Sequence, residues 1–334
     1  DRKEHIIKNM LYMIELNEKN VGVSRKIFGK DANIYCGDFL KADLNKIFGI
    51  EKFDVIMGNP PFNKERIHIT GTNAGKARLW DKFIINSLKN LNRDGYLCFI
   101  NPANWRGLGE LHYLWQLMSK KQLLFLHIYG THYGKKFFNV GSRFDLYVLQ
   151  NKDNKQPTKI IDELGYKHNT QINKIPFLPN YNYNSIQKIM TNEEDGIKII
   201  YDTAYHSQKL HKQINENYIY PIVHTITKDG IGLWYSADNT DGHFGIPKLI
   251  LNKNGIQYSY PEQNDYNGKF GMSELSFGIP ISSKEEGEII LKAIQTPAFK
   301  TIIKATKWGA FQTDYRMFKY FKKDLWKTLI ENIV

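Results

Sequence analysis

Short apolar runs alternate with segments of helical apolar spacing over residues 1–150. The runs interpreted as buried strands are Leu11–Leu16, Ile34–Cys36, Val55–Met57, Tyr96–Ile100, Leu123–Tyr129 and Arg143–Leu149. Between them, Glu18–Phe28 and Leu79–Leu91 carry apolar residues at intervals of three and four, as one face of a helix requires. Strands alternating with helices in this way predict an α/β domain built on a parallel sheet over residues 1–150.

The second half of the chain has a different pattern. Asn151–Pro157 is polar and lacks periodicity, so we place a domain boundary there. Beyond it, short apolar pieces are separated by turn formers, as in Asn180–Asn184 and Asp238–Gly245. Lys284–Ile294 is predicted to form a surface helix that ends before Pro297. Residues 151–334 are therefore expected to form a mixed α+β domain with long loops.

Composition narrows the protein class. A chain of 334 residues suggests two domains, and 42% hydrophobic with 24% charged residues is typical of a folded globular protein. No run approaches the length of a membrane span, and the start of the chain is too charged for a signal peptide. We expect a cytoplasmic protein with no membrane partner. The two cysteines, Cys36 and Cys98, are not in a C-x-x-C arrangement, and we expect no disulfide framework and no metal site.

The charge is strongly positive and uneven. The net charge is +12, and residues 1–150 contain 23 basic and 14 acidic residues, whereas residues 151–334 contain 23 and 20. Excess positive charge favours a polyanionic partner, most simply nucleic acid, because phosphate contacts release counterions.

One stretch carries candidate chemistry. Phe53–Phe62 reads as a buried strand followed directly by Asn-Pro-Pro-Phe. The two prolines fix the backbone, so Asn59 and the neighbouring carbonyls are held at the carboxyl edge of the sheet, where α/β proteins bind ligands. An Asn oxygen beside the carbonyl of Pro60 makes two acceptors for a planar NH2 group, and Phe62 can stack on a planar ring. The alternative is a Pro-rich turn with Phe62 in the core.

This strand and tetrapeptide resemble the S-adenosylmethionine-dependent amino-methyltransferases, in particular the DNA adenine-N6 class, whose hallmark is Asn/Asp-Pro-Pro-Tyr/Phe. The resemblance spans roughly residues 10–150. It implies a Rossmann-like sheet, S-adenosylmethionine as cofactor, and a catalytic site at Asn59, Pro60, Pro61 and Phe62. It also implies direct methyl transfer to adenine N6, without a metal or a covalent intermediate, after the base is flipped out of the duplex.

Positions around the tetrapeptide extend the resemblance. Glu15 corresponds to the acidic residue that binds the cofactor ribose, and Asp38 to the one that contacts its adenine, with Phe39 beside it. Asn59 also borders the cofactor. Downstream, Gly95–Trp105 is similar to the strand and turn that follow the catalytic loop. Phe138 corresponds to the aromatic residue that stacks on the target base opposite Phe62. Phe137 is the second choice for this position.

One family element is missing. No Gly-rich loop of the Asp/Asn-Pro-x-x-Gly-x-Gly type occurs, and residues 1–9 resemble the helix that would follow it. We therefore expect a methyltransferase sheet without its first strand. The loop would be supplied by an upstream segment of a longer polypeptide or by a partner chain.

Ala298–Lys327 is the strongest candidate for DNA contact in the second half, which the resemblance identifies as a target-recognition domain. It contains eight basic and two acidic residues interleaved with eight aromatic residues. The residues expected to contact double-stranded DNA are Lys304, Lys307, Trp308, Gln312, Arg316 and Lys319. The alternative is that the aromatic residues form the core of the domain while the lysines cover its surface.

We therefore expect a site-specific DNA adenine-N6 methyltransferase, with a possible place in a restriction-modification system. Two other functions remain open. The tetrapeptide also occurs in RNA adenine and protein glutamine methyltransferases, which act on a planar NH2 group. A DNA-binding or specificity subunit without catalysis would explain the missing loop.

Overall fold

A mixed sheet of six strands forms the centre of the first half of the molecule. The computed structural model describes residues 1–63, 78–254, 256, 258–309 and 312–331. The helices and strands of the first half are α1 (Arg2–Asn9), β1 (Tyr12–Glu15), α2 (Glu18–Phe28), β2 (Asn33–Cys36), α3 (Leu44–Phe48), β3 (Phe53–Gly58), α4 (Trp80–Lys89), β4 (Leu91–Pro102), α5 (His112–Ser119), β5 (Lys121–Tyr129), α6 (Thr131–Phe138), β6 (Phe144–Asp153), β7 (Thr158–Ile161) and β8 (Lys167–Thr170). The predicted strands and helices of residues 1–150 are confirmed, with shifted ends.

The strand order of the main sheet is β3-β4-β6-β5-β7-β8. The predicted α/β class is confirmed. β3 is parallel to β4, but β6 runs antiparallel to both β4 and β5, so the sheet is mixed where a parallel sheet was expected. The cause is length. α6 has eight residues and spans about 12 Å, whereas the nine residues of β5 span about 30 Å. Because α6 is too short to return along β5, the chain re-enters the sheet from the same end.

The main sheet continues beyond residue 150. β6 runs to Asp153, and β7 and β8 then extend the sheet beside β5. The polar stretch predicted as a linker therefore begins inside a strand. Its turn is held by Gln122, whose Oε1 accepts hydrogen bonds from the backbone N–H groups of Lys155 and Gln156 at 3.0 and 2.9 Å. The division into domains near residue 151 stays a prediction.

β1 and β2 form a separate parallel pair, with Glu15 opposite Cys36. This pair lies beside the main sheet, since the Tyr12 ring packs 5.2 Å from that of Phe48 and 5.6 Å from that of Phe53, between centroids. Among the described strands, β1 pairs only with β2 and β3 pairs only with β4. Each of β1 and β3 therefore has one edge without a strand partner.

The two faces of the main sheet differ. One face carries Leu97, Phe99 and Leu149, which are buried beneath α4 and α5. On β3, by contrast, Val55 is 54% exposed and Met57 is 73% exposed. The prediction that Val55–Met57 is buried is wrong for Val55 and Met57, because no described element packs over them, whereas Ile56 packs against the buried core.

The second half contains two small sheets, of order β10-β9-β13 and β12-β11-β14, packed with helices. Its elements are α7 (Tyr183–Ile189), β9 (Tyr220–Thr227), β10 (Gly230–Ser236), β11 (Lys248–Asn252), β12 (Asn264–Asp265), β13 (Gly271–Met272), β14 (Ser276–Pro280), α8 (Lys284–Gln295), α9 (Pro297–Ala305) and α10 (Leu325–Glu331). The predicted helix is confirmed as α8, which begins at a Ser283 cap and ends before Pro297. Among the described residues, no helix is long and apolar enough to cross a membrane.

A buried arginine joins the two halves. The side chain of Arg106 is fully buried, and its Nε donates a hydrogen bond to Asp145 Oδ2 in β6 at 2.7 Å. Its Nη1 donates to the carbonyls of Leu178 and Pro179 at 3.0 and 3.3 Å. Its Nη2 donates to Asn180 Oδ1 at 2.8 Å. One guanidinium thus ties the main sheet to the segment that leads into the second half.

Further hydrogen bonds between the two halves involve the residues that follow α9. Asn180 Nδ2 and Arg143 Nη1 both donate to the carbonyl of Lys307, each at 2.9 Å. The indole N–H of Trp308 donates to the carbonyl of Leu178 at 2.7 Å. The C-terminal region is therefore held against the main sheet by buried hydrogen bonds.

Arg106→Met should lower the free energy of unfolding by about 3–5 kcal/mol, because it leaves the Asp145 carboxylate buried without its cation. Urea denaturation measures the change. The comparison variant is Arg316→Met, since the Arg316 side chain is 42% exposed and its partner Asp314 is 12% exposed, so both charges keep some contact with solvent and the loss should be smaller. Equal losses for the two variants would show that Arg106 is not the junction.

Candidate active site

The Asn-Pro-Pro-Phe segment lies directly after β3, at the carboxyl edge of the main sheet. Pro60 is buried and Phe62 is half-buried, whereas Asn59 and Pro61 are exposed. The side-chain amide of Asn59 makes no hydrogen bond with another described residue. Because β3 ends at Gly58 directly before Asn59 and two prolines follow it, the backbone around Asn59 is restrained, and its amide oxygen is presented at a defined position.

The chain leaves the tetrapeptide and returns to α4 at one place. Asn63 and Arg78 form an antiparallel bridge, and Leu79 N–H donates to the carbonyl of Phe62 at 3.3 Å. Arg78 Nε donates to Asp81 Oδ2 at 3.2 Å. The entry and exit of the intervening segment are thus fixed beside the site.

Asp81 is a residue that our sequence analysis missed. It is buried in the first turn of α4, where its Oδ2 also accepts a hydrogen bond from Tyr113 Oη at 3.0 Å. The i, i+3 spacing of Arg78 and Asp81 at the predicted helix start was the available signal.

Glu15 and Asp38 occupy corresponding places at the carboxyl end of the parallel pair β1 and β2. Glu15 ends β1 and its Oε1 accepts from the backbone N–H of Asn17 at 2.8 Å. Asp38 follows β2 and its Oδ1 accepts from the backbone N–H of Leu40 at 2.9 Å. Each carboxylate therefore has one oxygen fixed by a turn and a second oxygen available to a ligand. The second oxygen of Asp38 lies 4.0 Å from Nζ of the exposed Lys41.

Phe39 anchors the Asp38 turn to the main domain. Its ring stacks on Phe83 of α4 with 5.4 Å between centroids and 26° between planes. The side-chain amide of Asn86 donates to the Phe39 carbonyl at 3.0 Å. Phe39 is thus placed beside Asp38, and one of its faces is used in packing.

The expected pair of base-stacking rings is brought together, but not as a sandwich. The centroids of Phe62 and Phe138 lie 5.6 Å apart with 57° between their planes, so the rings contact each other. A base between two rings needs about 7 Å between parallel planes. Phe138 is held by an edge-to-face contact with Phe144 at 5.0 Å. In this arrangement there is no room for a base between Phe62 and Phe138, so stacking on both rings stays a prediction that requires them to separate. Phe137 is stacked on Tyr133.

A buried polar pair lies behind the site and was also missed. Tyr147 Oη donates to Asn101 Oδ1 at 2.7 Å, and both residues are fully buried. Burial raises the pKa of Tyr147 well above its usual value, so the hydroxyl keeps its proton and remains a donor. Asn101 Nδ2 has no partner among the described residues. Single polar residues inside apolar strands give no signal of this pairing.

The six predicted DNA-binding residues differ in their exposure and in the residues that they contact. Lys304 and Gln312 are exposed, and Arg316 lies against Gly109, which follows the carboxyl end of β4. Arg316 also makes two contacts with Asp314, at 2.7 and 3.2 Å.

The other three residues have structural partners. Lys319 Nζ lies 3.2 Å from Glu193 Oε1. Lys307 is half-buried, and its carbonyl is part of the junction between the halves. Trp308 is only 5% exposed, and its ring packs against Phe177, so the expectation that it contacts DNA is wrong.

The aromatic residues of Ala298–Lys327 mostly form a core, as the alternative interpretation held. The buried ones are Phe299, Trp308, Phe318, Phe321 and Trp326, and Tyr315 and Tyr320 pack against them. Phe311 lies outside the described residues. The high density of rings therefore reflects packing, because these aromatic residues fill the space between α8, α9, α10 and β14.

Residues 2–138 match the family model of the Eco57I restriction-modification methylase. The resemblance to restriction-modification methyltransferases is therefore confirmed for this part of the chain. A search of curated protein sequences finds no match.

Solved structures of restriction-modification enzymes are similar to this chain. MmeI, a type IIL restriction-modification enzyme solved in complex with DNA, aligns with a TM-score of 0.51 and 10% identity over 95% of this chain and 55% of its own. The type I EcoKI M protein aligns with a TM-score of 0.38 and 17% identity over 48% of this chain and 36% of its own. A type I methyltransferase subunit from Streptococcus thermophilus gives 0.35 and 17% over 49% and 40%. The chain thus spans between about a third and about half of these proteins, and the MmeI alignment shows that both halves share its fold.

Phe83→Ala should loosen the Asp38 turn, because it removes the ring on which Phe39 stacks. We expect the amides of Lys41 and Ala42, which donate to the Asp38 carbonyl at 3.0 and 2.9 Å, to exchange hydrogen at least about tenfold faster. Hydrogen-exchange mass spectrometry measures the rate. Phe83→Leu keeps most of the apolar contact and serves as control. Unchanged exchange in the alanine variant would show that Phe39 does not anchor the turn.

Proposed function

We propose that this chain carries the catalytic and DNA-recognition parts of an S-adenosylmethionine-dependent methyltransferase that modifies adenine N6 in double-stranded DNA, within a restriction-modification system. The observation that carries the proposal is the Asn-Pro-Pro-Phe segment at the carboxyl end of β3, with the unpaired Asn59 amide at its start. The family match over residues 2–138 supports the reaction class.

The cofactor half of the site fits S-adenosylmethionine in part. Glu15 and Asp38 follow neighbouring parallel strands, and each keeps a carboxylate oxygen free of the turn that fixes it. Such oxygens accept hydrogen bonds from ribose hydroxyls and from the adenine amino group. Phe39 would then border the adenine. Residues for the methionine part of the cofactor are not evident among those described.

Asn59 and Pro60 hold the amino group of the target adenine in the proposed reaction. The Asn59 Oδ1 and the Pro60 carbonyl accept the two N–H groups of the adenine amino group, which fixes the nitrogen and directs its lone pair. S-adenosylmethionine supplies the methyl group on a positively charged sulfur, so no metal is required. The rate gain from the protein comes from orientation and from fixed dipoles around the amino group.

The target base reaches Asn59 only after leaving the duplex, because base edges inside the stack are inaccessible to the tetrapeptide. Phe62 offers a ring beside Asn59 for the extruded adenine once Phe138 has moved aside. Arg316 and Gln312 are proposed to contact the flanking DNA, and the support is that Gln312 is exposed and that Arg316 lies against Gly109, which follows β4 along the chain. The charge of +12 adds affinity for the phosphate backbone.

We further propose that the cofactor pocket is completed by a strand from outside these residues, placed between β1 and β3. Both strands present an unpaired edge, and both run parallel to their only described partner. The exposed Val55 and Met57 would be covered by the helix that accompanies such a strand. Its source is either an upstream segment of the polypeptide or a partner chain.

The 334-residue chain alone should therefore bind S-adenosylmethionine at least about tenfold more weakly than the same chain supplied with the completing segment. Equilibrium dialysis with labelled cofactor measures both dissociation constants. Tight binding by the isolated chain would contradict the proposal of a missing strand and leave the proposed reaction intact.

Asn59→Ala should abolish methyl transfer and leave DNA affinity almost unchanged, because Asn59 is proposed to contact the extruded base and to border the cofactor, and not to contact the DNA backbone. Transfer from labelled S-adenosylmethionine to mixed-sequence DNA and to RNA is measured on the completed protein, followed by nucleoside analysis. We expect N6-methyladenine in DNA only.

Asn169→Ala is the matched control, since Asn169 is an exposed asparagine on β8, away from the carboxyl edge of β3. Product in RNA would redirect the proposal to that substrate. Normal turnover by Asn59→Ala would remove Asn59 from the mechanism. Absence of methyl transfer by the completed protein would favour a non-catalytic DNA-binding role.

A further inference from the structure

A second concave site lies at the amino end of β3, at the other end of this strand from Asn59. It is a cavity of about 320 Å³, which we call the basic cavity, and its lining residues are Lys52, Arg93, Lys121, Asn151, Lys152 and Asp153. Lys52 immediately precedes β3, whereas Asn59 follows it. Because the six residues of β3 span about 20 Å, the basic cavity is well separated from the candidate active site.

Hydrogen bonds hold the backbone around the basic cavity. The side-chain amide of Asn151 donates to the carbonyls of Leu91 and Asn92 at 3.3 and 3.1 Å. Gln150 Nε2 donates to the carbonyl of Asp94 at 2.9 Å, and Asp94 has the left-handed φ of 63°. These contacts fix the turn that presents Arg93, so this wall of the cavity is defined by the fold.

The charge in the basic cavity is uncompensated. Four cations face one carboxylate, that of Asp153, and none of the four side chains makes an ion pair or hydrogen bond with another described residue. The carboxylate of Asp54 does not line the cavity, and it accepts a hydrogen bond from Asn92 Nδ2 at 2.8 Å. Like charges around a concavity repel one another and focus a positive field inside it. A multivalent anion would relieve this repulsion.

We propose that the basic cavity binds phosphate groups, supplied either by a soluble polyphosphate such as that of a nucleotide or by a nucleic-acid backbone. Phosphate oxygens suit this set of side chains, because an arginine fork binds two oxygens at once and lysines add point charges. The lining of the basic cavity does not include Asn59, so phosphate binding there does not depend on the groups proposed for methyl transfer.

Isothermal titration of inorganic tripolyphosphate into the protein at about 50 mM salt tests the proposal, because low salt limits screening. We expect saturable binding that is at least tenfold weaker in Arg93→Gln/Lys121→Gln. Neither side chain makes an ion pair or a hydrogen bond with another described residue, so their replacement should leave the fold intact. Lys159→Gln/Lys167→Gln is the matched control, since these two lysines are exposed on β7 and β8 outside the cavity and should leave binding unchanged.

The proposal is overturned if the unaltered protein shows no saturable binding, or if both double variants bind as tightly as it does, which would mean diffuse attraction to a basic surface. Competition with a duplex of G·C pairs only, which offers no adenine to Asn59, then identifies the source. Displacement of tripolyphosphate assigns the cavity to a nucleic-acid backbone. Retention of tripolyphosphate assigns it to a soluble polyphosphate.

Discussion

The buried guanidinium of Arg106 is the interaction on which the arrangement of the whole chain depends. A buried cation is tolerable only when its charge and its N–H groups are satisfied, and here one carboxylate, two carbonyls and one amide meet it. These partners come from β6 and from residues 178–180. The position of the second half relative to the sheet edge that carries Asn59 is therefore fixed by a geometric requirement that apolar packing alone would not impose. The proposed function, in which one half reads DNA and the other acts on a base, requires such a fixed relation.

Local signals in the sequence were sufficient for the strands and helices of the first half and for the position of the Asn-Pro-Pro-Phe segment, because prolines dictate their own backbone. Glu15 and Asp38 were assigned to the cofactor through the family resemblance, and the structure places each after a short parallel strand. The roles of these residues stay predictions. The direction of β6 could not be predicted in the same way, since it depends on the length of α6 relative to β5. The exposure of Val55 and Met57 was equally hidden, because a run of apolar residues does not say whether anything covers it.

Side chains with two plausible uses were the least predictable. Trp308 and Arg316 occupy the same basic and aromatic stretch, yet Trp308 packs in the core while Arg316 lies at the surface beside Gly109. The difference arises from contacts with Leu178 and Phe177, which are more than 100 residues away along the chain. Arg106 was overlooked for the same reason, because its four partners are scattered over residues 145–180.

The unpaired edge of β3 has a consequence for how the protein is assembled. An open strand edge flanked by exposed apolar side chains pairs with whichever extended segment reaches it first, so correct completion competes with self-association. A completing strand on the same polypeptide acts at an effective concentration in the millimolar range and wins that competition at any expression level. A strand on a separate chain has only its own cellular concentration, so the two chains would then have to be produced together and in balance.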